Sequence, residues 1–317
     1  MTDTQNEVFK SPVNKIRLFE HGAPGSQNLK LTRKYYTEDM PDGRVKHIVQ
    51  NITDPDIVPY IPDGIGNSTD RQRIPAVLII PGGAFRRLVY NFEGEDVAKW
   101  LNSMGIAAFV LECRLPSDEH DNAEDVPLID AMRAMRVIRG RAQEFGIDEA
   151  KIGVMGFSAG GFMAALLSTA YESDVYADYK YKDEYDKLSA RPDFAVCSYP
   201  VISIDDCIEA GKRYMSEEQV LERISDSKAK ILHKYNPDKL VRPDMPPVFI
   251  CETDDDRTTL SENSVGFYMA ARKAGVSAEL HIFRTGGHGY GCGDDFAQTG
   301  EWKVLFTKWA KSIGIIS

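Results

Sequence analysis

The chain has 317 residues, 43% of them hydrophobic, and sets 38 Lys and Arg against 48 Asp and Glu for a net charge of −10. That length and apolar content support a substantial buried core, in one large domain or two ordinary ones, and the acidic surplus repels phosphate backbones and anionic lipid, which argues against nucleic acid as a partner. The longest apolar runs, AVLII and IAAFVLEC, are too short to span a bilayer, and the opening MTDTQNEVFK lacks the basic and apolar blocks of a signal peptide, so a cytoplasmic protein without membrane association is expected.

Residues 1–70 form a leading segment rich in Gly, Pro, Asn and Asp, in which HIVQNI and DIVPYI read as antiparallel strands. The texture changes after Arg73. AVLII at 76–80 is a continuous apolar run suited to a strand buried on both faces, and EGEDVAKWLNSMG carries Val97, Trp100, Leu101 and Met104 at helical spacing. IAAFVLEC follows as a strand, then 123–145 as a helix with Leu128, Met132, Met135, Ile138, Ala142 and Phe145 on one face. The alternation continues through the strand KIGVMGF, a helix from Ala159 to about Ala170, the strands FAVCSYPV and PVFICET, a helix over 261–274, the strand AELHIF and a C-terminal helix near 300–313. Repeated βα units imply a mostly parallel sheet covered on both faces, an α/β fold.

Two stretches interrupt this rhythm: 171–192, charged and Tyr-rich, and 202–245, with a helix expected from Glu217 to Tyr235. Neither carries a core of its own, so both read as insertions, candidate parts of a small lid, in a single domain over 1–317. Tyr171, Tyr176, Tyr179, Tyr181 and Tyr185 in the first insertion are candidates to stack on sugar rings, or simply to cover an amphipathic surface segment. Cys113, Cys197, Cys207, Cys251 and Cys292 are odd in number and form no C-x-x-C pair, which fits reduced, mostly buried thiols rather than a disulfide framework or zinc cluster.

One corner of the pattern carries chemistry. In KIGVMGFSAGG, residues 151–161, a buried strand turns directly into a helix with Ser158 at the junction and Gly156 and Gly160 on either side. A turn this tight strains the serine backbone and brings neighbouring chain close, which requires small residues two before and two after it, the pattern G-x-S-x-G. The helix that starts at Ala159 presents free N–H groups where an anionic tetrahedral intermediate needs donors. A serine hydroxyl is a weak nucleophile unless a base lies within hydrogen-bond reach and a further group orients that base. Of the six histidines, His21, His47, His120 and His233 fall in loops or insertions and His281 within a strand, so structural or surface roles suit them. His288, in the glycine-rich RTGGHGYGCG just after AELHIF, can reach over the carboxyl edge of the sheet and is the candidate base. Asp254, Asp255 and Asp256 leave the preceding strand at the same edge, and spacing alone does not choose between Asp255 and Asp256.

The order Ser, Asp, His, with GFSAGG, PGGAF, CETDDDRTTLSENS and GGHGYG, resembles the α/β-hydrolase fold, and within it the acetylesterase and acetyl-xylan-esterase-like branch, over residues 76–310. GAPGS at 22–26 and NITDPDIVPYIPD at 51–63 resemble the leading segment of the same esterases. The resemblance registers Asp256 as the acid of a catalytic set Ser158, Asp256 and His288. Members usually carry Asp-x-x-Val-Pro there, whereas Asp256 is followed by Arg257, Thr258, Thr259 and Leu260, a departure that keeps Asp255 as the alternate. It also implies that PGGAF at 81–85 supplies oxyanion donors, the N–H of Gly83 or Ala84 together with that of Ala159; Ala stands where Gly is usual, which suits the role if its φ is negative.

The resemblance further implies a two-step acyl transfer without metal or organic cofactor, on O-acetyl groups of plant-type oligosaccharides such as xylo-oligosaccharides. The alternatives are a general short-chain or cinnamoyl carboxylesterase and, from a different class, a hydrolase-fold binding protein without turnover. An acetyl preference needs bulk near the nucleophile, for which Phe85, Phe157 and Tyr199 are available, Phe157 having the core as its other destination.

Overall fold

A computed structural model describes residues 9–65, 73–220, 229–293 and 298–316. Its strands are β1 (Ile16–Arg17), β2 (Lys34–Asp39), β3 (Val45–Gln50), β4 (Asp56–Tyr60), β5 (Ile74–Ile80), β6 (Leu88–Val89), β7 (Ala107–Glu112), β8 (Ile147–Phe157), β9 (Ala195–Ser198), β10 (Val248–Thr253) and β11 (Ala278–Phe283). Eight of them form one sheet in the order β1-β4-β7-β5-β8-β9-β10-β11. From β7 to β11 the neighbours are all parallel, and β4 and β1 close the other edge antiparallel. The continuous apolar runs occupy the middle of this sheet for the reason that made them recognisable: β7, β9 and β10 are buried along their whole length, and β5 and β8 over Ala76–Ile80 and Ile152–Phe157.

Helices cover the sheet. Trp100 of the helix Asp96–Ser103 packs edge-on against Trp302 and Phe306 of the helix Trp302–Ser312, at 4.9 and 5.5 Å between ring centroids. The helices Val126–Gly140 and Ala159–Ala170 pack against each other. The described residues contain no helix long and apolar enough to cross a membrane.

Several local expectations are corrected. The helix expected over 123–145 is Val126–Gly140 followed by a separate turn, Ala142–Phe145. Pro127 confines the start to the first turn, Gly140 weakens the last one, and Arg141 between the two helices leaves helical geometry at φ −104, ψ 17. HIVQNI and DIVPYI are both antiparallel strands but do not pair together. β3 lies between β2 and β6 in a small three-stranded sheet, whereas β4 joins the main sheet beside β7. The strand KYYTED and the helix Ile204–Tyr214 are not among the expected elements, and the Ser203 hydroxyl caps that helix by accepting the N–H groups of Asp205 and Asp206. Of the helix expected from Glu217 to Tyr235, residues 217–220 and Ala229–Lys234 are helical and 221–228 lie outside the described residues.

Most tyrosines of the first insertion act as anchors. Tyr171 donates to Asp244 at 2.7 Å, Tyr176 to Asp186 at 2.8 Å and Tyr179 to the Gly22 carbonyl at 3.0 Å, while Arg133 pairs with Asp183 and Asp186. Tyr181 is the exposed member, at 45%. Cys113, Cys197, Cys251 and Cys292 are buried and form no disulfide among the described residues, as their scatter suggested.

Candidate active site

Ser158 stands at the end of β8 with φ 53 and ψ −118, a conformation costly for any residue with a Cβ. The glycines around it are needed by close approach. A Cβ on Gly156 would lie 1.9 Å from the Gly160 carbonyl oxygen, and one on Gly160 would lie 1.9 Å from that of Ile80. The strained corner is held from both sides, the Ser158 N–H donating to Ser198 O and the Ser158 carbonyl accepting from Phe162 and Val201. Ala159, at the first position of the following helix, has no intrahelical acceptor for its N–H.

The structure brings Ser158, His288 and Asp256 into one hydrogen-bonded chain. His288 Nε2 lies 2.8 Å from Ser158 Oγ, and Nδ1 lies 2.6 Å from Asp256 Oδ2. An ionised carboxylate only accepts, so Nδ1 carries the proton and Nε2 is left with a lone pair toward the serine hydroxyl. The Asp256 side chain is fully buried, whereas His288 keeps 21% of its side chain exposed, which leaves access to the imidazole. Burial pushes the Asp256 carboxyl up, but the hydrogen bond and charge of His288, with the backbone N–H groups of Thr259 and Thr258, outweigh it and hold the group below its ordinary range.

Asp255 faces elsewhere. Its Oδ1 accepts the N–H groups of Gly286 and Gly287 at 2.9 and 2.8 Å, and the Thr253 hydroxyl donates to the Gly287 carbonyl at 2.9 Å, so the loop before His288 is fixed from the end of β10. The departure from Val-Pro after the acid leaves the turn intact. Leu260 has the φ of −66 that proline would impose, and Thr259, in the valine place, sets its hydroxyl 2.9 Å from Asp256 Oδ2 and 3.2 Å from His288 Nδ1. Beneath them Glu252 is buried, and burial followed by the negative charge of Asp256 pushes its carboxyl well above the usual range.

The loop after β5 differs from expectation in its backbone. Gly83 has φ +139, Ala84 φ +57 and Phe85 φ +59, so Ala84 is in the left-handed region rather than at negative φ. The physical reason is a tight turn in which the Gly83 carbonyl accepts the N–H groups of Arg86 and Arg87, with the Phe85 ring anchored edge-on against Phe162 at 5.5 Å. Phe85 lines a narrow apolar cavity with Leu88, Cys113, Leu115, Ala159 and Met163. Phe157 takes its core destination, packed on Tyr199 and Trp302 and fully buried. Tyr199 is fully buried too, with its ring edge-on to the His288 imidazole at 5.1 Å.

Two residues of this neighbourhood are not recognisable in the sequence. Thr259 stands out there only as part of a departure from the usual motif. Glu93 looks like part of a helix start, yet its carboxyl is buried between the loops that carry Gly83 and His288.

Residues 65–270 match the BD-FAE family model. The chain is 31% identical over 240 residues to an acetylxylan esterase of Xylanibacter ruminicola, covering 75% of this chain and 45% of that protein. It is also 31% identical over 227 residues to endo-1,4-beta-xylanase B of Butyrivibrio fibrisolvens, covering 71% and 34% respectively, so the chain spans less than half the length of the curated relatives it matches. Among solved structures, an acetyl ester-xyloside bifunctional hydrolase from Caldicellulosiruptor lactoaceticus superposes with a TM-score of 0.67 at 37% identity, over 83% of this chain and 90% of that one. An esterase from Thermogutta terrifontis shares the fold with a TM-score of 0.64 at 24% identity, over 93% and 96%. With its mostly parallel sheet and a family match over more than half its length, the chain belongs to the BD-FAE family and has the α/β-hydrolase fold.

Proposed function

We propose that this chain is a serine carboxylic-ester hydrolase that removes acetyl groups from plant-type oligosaccharides such as acetylated xylo-oligosaccharides. The observation that carries the reading is the continuous chain Ser158 Oγ, His288 Nε2, His288 Nδ1, Asp256 Oδ2, with contacts of 2.8 and 2.6 Å. As Ser158 Oγ bonds to the ester carbonyl carbon, His288 Nε2 takes the hydroxyl proton, and Asp256 holds and stabilises the resulting imidazolium. The carbonyl oxygen becomes an oxyanion facing the N–H of Ala159 and that of Gly83, since the left-handed φ of Ala84 does not meet the negative-φ condition for its N–H. Loss of one such donor typically lowers the rate about 10²–10³-fold. Collapse expels the alcohol, which receives the proton from His288 and leaves an acetyl-serine. Water then attacks this ester as His288 takes its proton, and collapse breaks the bond to Ser158 Oγ, which receives that proton from His288 as acetic acid departs. Every step uses side chains and backbone of this chain, with no cofactor.

The acetyl-saccharide preference is supported by the 37% identity to a hydrolase described as an acetyl ester-xyloside enzyme and by the 31% identity to an acetylxylan esterase. A panel of acetylated xylo-oligosaccharides, nitrophenyl acyl esters and feruloylated saccharides tests it. Release of acetate from the xylo-oligosaccharides with higher kcat/KM than release of ferulate is the expected result. A clear feruloyl preference would replace the acetyl reading with a cinnamoyl one, and absence of hydrolysis across the panel would overturn the enzyme assignment.

A further inference from the structure

Glu93 sits in a π-helical turn, Asn91–Glu95, a rare geometry that often marks functional positions, and its side chain is buried, with 5% of the residue exposed. Its Oε2 accepts the N–H of Gly82 at 2.8 Å, directly before Gly83 and Ala84. Its Oε1 accepts the hydroxyl of Tyr199 at 2.9 Å. That hydroxyl oxygen in turn accepts the N–H of Gly291 at 3.0 Å, three residues beyond His288, and the Gly291 carbonyl takes the Trp302 indole N–H at 3.1 Å. The Gly291 N–H only donates, so the Tyr199 proton is committed to Glu93. With a backbone N–H on the other oxygen, both oxygens act as acceptors, the bonding state of an ionised carboxylate.

The surroundings leave this bridge no slack. A Cβ on Gly82 would fall 2.7 Å from Glu93 Oε2 and 2.9 Å from the Ser158 Cβ. Tyr199 is held at φ +38 and presents its ring edge to the imidazole. Burial pushes the Glu93 carboxyl above its ordinary range, and the charge of His288, the Tyr199 hydroxyl and the Gly82 N–H offset this only in part. One buried group therefore joins the two loops that approach Ser158.

We propose that Glu93 is a positioning residue for ester hydrolysis, an inference that rests on the serine-hydrolase reading above: through Gly82 it sets the oxyanion loop, through Tyr199 and Gly291 it sets the His288 loop, and its negative charge adds to that of Asp256 when the imidazolium forms. Glu93→Gln keeps the shape and one acceptor and removes the charge. Tyr199→Phe keeps the ring and the carboxylate and cuts the link to Gly291.

The test measures kcat, KM and the pH dependence of kcat/KM for nitrophenyl acetate, each per active site labelled to completion by an organophosphate. For Glu93→Gln the expected drop in kcat per site is on the order of 10- to 100-fold, smaller than the 10²–10³ typical of losing an oxyanion donor outright, with KM little changed. The acid limb of kcat/KM should move to lower pH, because an imidazolium that has lost a carboxylate neighbour gives up its proton more readily. Loss of activity only in proportion to unlabelled protein, with the acid limb unmoved, overturns the proposal. Should Glu93→Gln yield no labelled sites, Tyr199→Phe decides: reduced kcat per site supports the bridge, and wild-type kcat per site overturns it. Inactive wild-type protein would be a failure of the serine-hydrolase reading itself, visible before any variant is measured.

Discussion

Asp256 Oδ2 lies 2.6 Å from His288 Nδ1, while the carboxylate one residue earlier turns to the backbone of Gly286 and Gly287. Two adjacent aspartates thus hold one histidine by different means, Asp256 by its ring and Asp255 by its loop. The opposite directions of their side chains follow from the turn after β10, where the N–H groups of Thr258 and Thr259 close onto Asp256 Oδ1 at 2.7 and 2.9 Å.

Asparagine at these two places should therefore act differently. Asp256→Asn places an amide N–H or a neutral oxygen against Nδ1 and favours the wrong tautomer, and the expected loss in kcat is on the order of 10⁴-fold. Asp255→Asn retains an oxygen that accepts both glycine N–H groups, so kcat should change by less than about 10-fold, the equivalent of about 1.4 kcal/mol in the barrier. Kinetics with nitrophenyl acetate on both variants decide the matter, and the reverse ranking would move the acid to Asp255.

Ser158→Ala should abolish ester hydrolysis while leaving the fold in place, because the corner is built from backbone contacts and small neighbours that an alanine methyl does not disturb. An organophosphate should label Ser158 in the wild-type protein and leave the variant unmodified, read by mass spectrometry of the peptide. Turnover near the wild-type rate in Ser158→Ala would remove the serine from the mechanism.

The features legible in the sequence are those with a local cause. AVLII throughout and IAAFVLEC apart from Glu112 are apolar because both faces of a central parallel strand are covered, and Gly156 and Gly160 mark the Ser158 corner because a Cβ at either would meet a carbonyl oxygen at 1.9 Å. Features with a distant cause stay hidden. Glu93 lies 11 residues from Gly82 and 106 from Tyr199, and in EGED it looks like one more solvated carboxylate. The left-handed backbone of Ala84 and Tyr199 carries no glycine to announce it. The helix Ile204–Tyr214 does have local signals, Ser203 followed by two aspartates in the first turn and Ile204, Cys207 and Ile208 at helical spacing, but they fall inside a stretch read as an insertion.

Glu252 makes stability depend on pH. Burial, then the charge of Asp256, raises its carboxyl well above the ordinary 4.5, so the folded protein keeps a proton that the unfolded chain releases above that value. The stability contribution is complete below about pH 4.5 and declines as pH rises toward the folded value, at about 1.4 kcal/mol per pH unit while that proton is retained. Glu252→Gln, which does not titrate, should flatten this slope, so that urea unfolding at pH 5, 6, 7 and 8 shows the variant gaining on the wild type as pH increases. Parallel stability curves would mean that Glu252 is ionised in the folded state.

Acyl length is the property for which the Phe85 ring matters most. Each CH₂ buried in an apolar slot gains about 0.8 kcal/mol, so a pocket without a steric stop favours longer acyl chains. The ring stands edge-on against Phe162 at 5.5 Å, and with Leu115, Cys113 and Met163 it narrows the cavity beside Ala159. If the acyl group enters this cavity along Ala159, that wall sets a limit on its length that a butyryl chain would have to displace. In the wild type kcat/KM should fall from acetyl to butyryl to hexanoyl nitrophenyl esters. Phe85→Leu should raise the butyryl to acetyl ratio while preserving the core better than Phe85→Ala, since truncating a buried Phe to Ala costs about 3–5 kcal/mol. A wild-type maximum at butyryl or beyond would end the acetyl preference, and an unchanged ratio in Phe85→Leu would place the acyl chain somewhere other than this cavity.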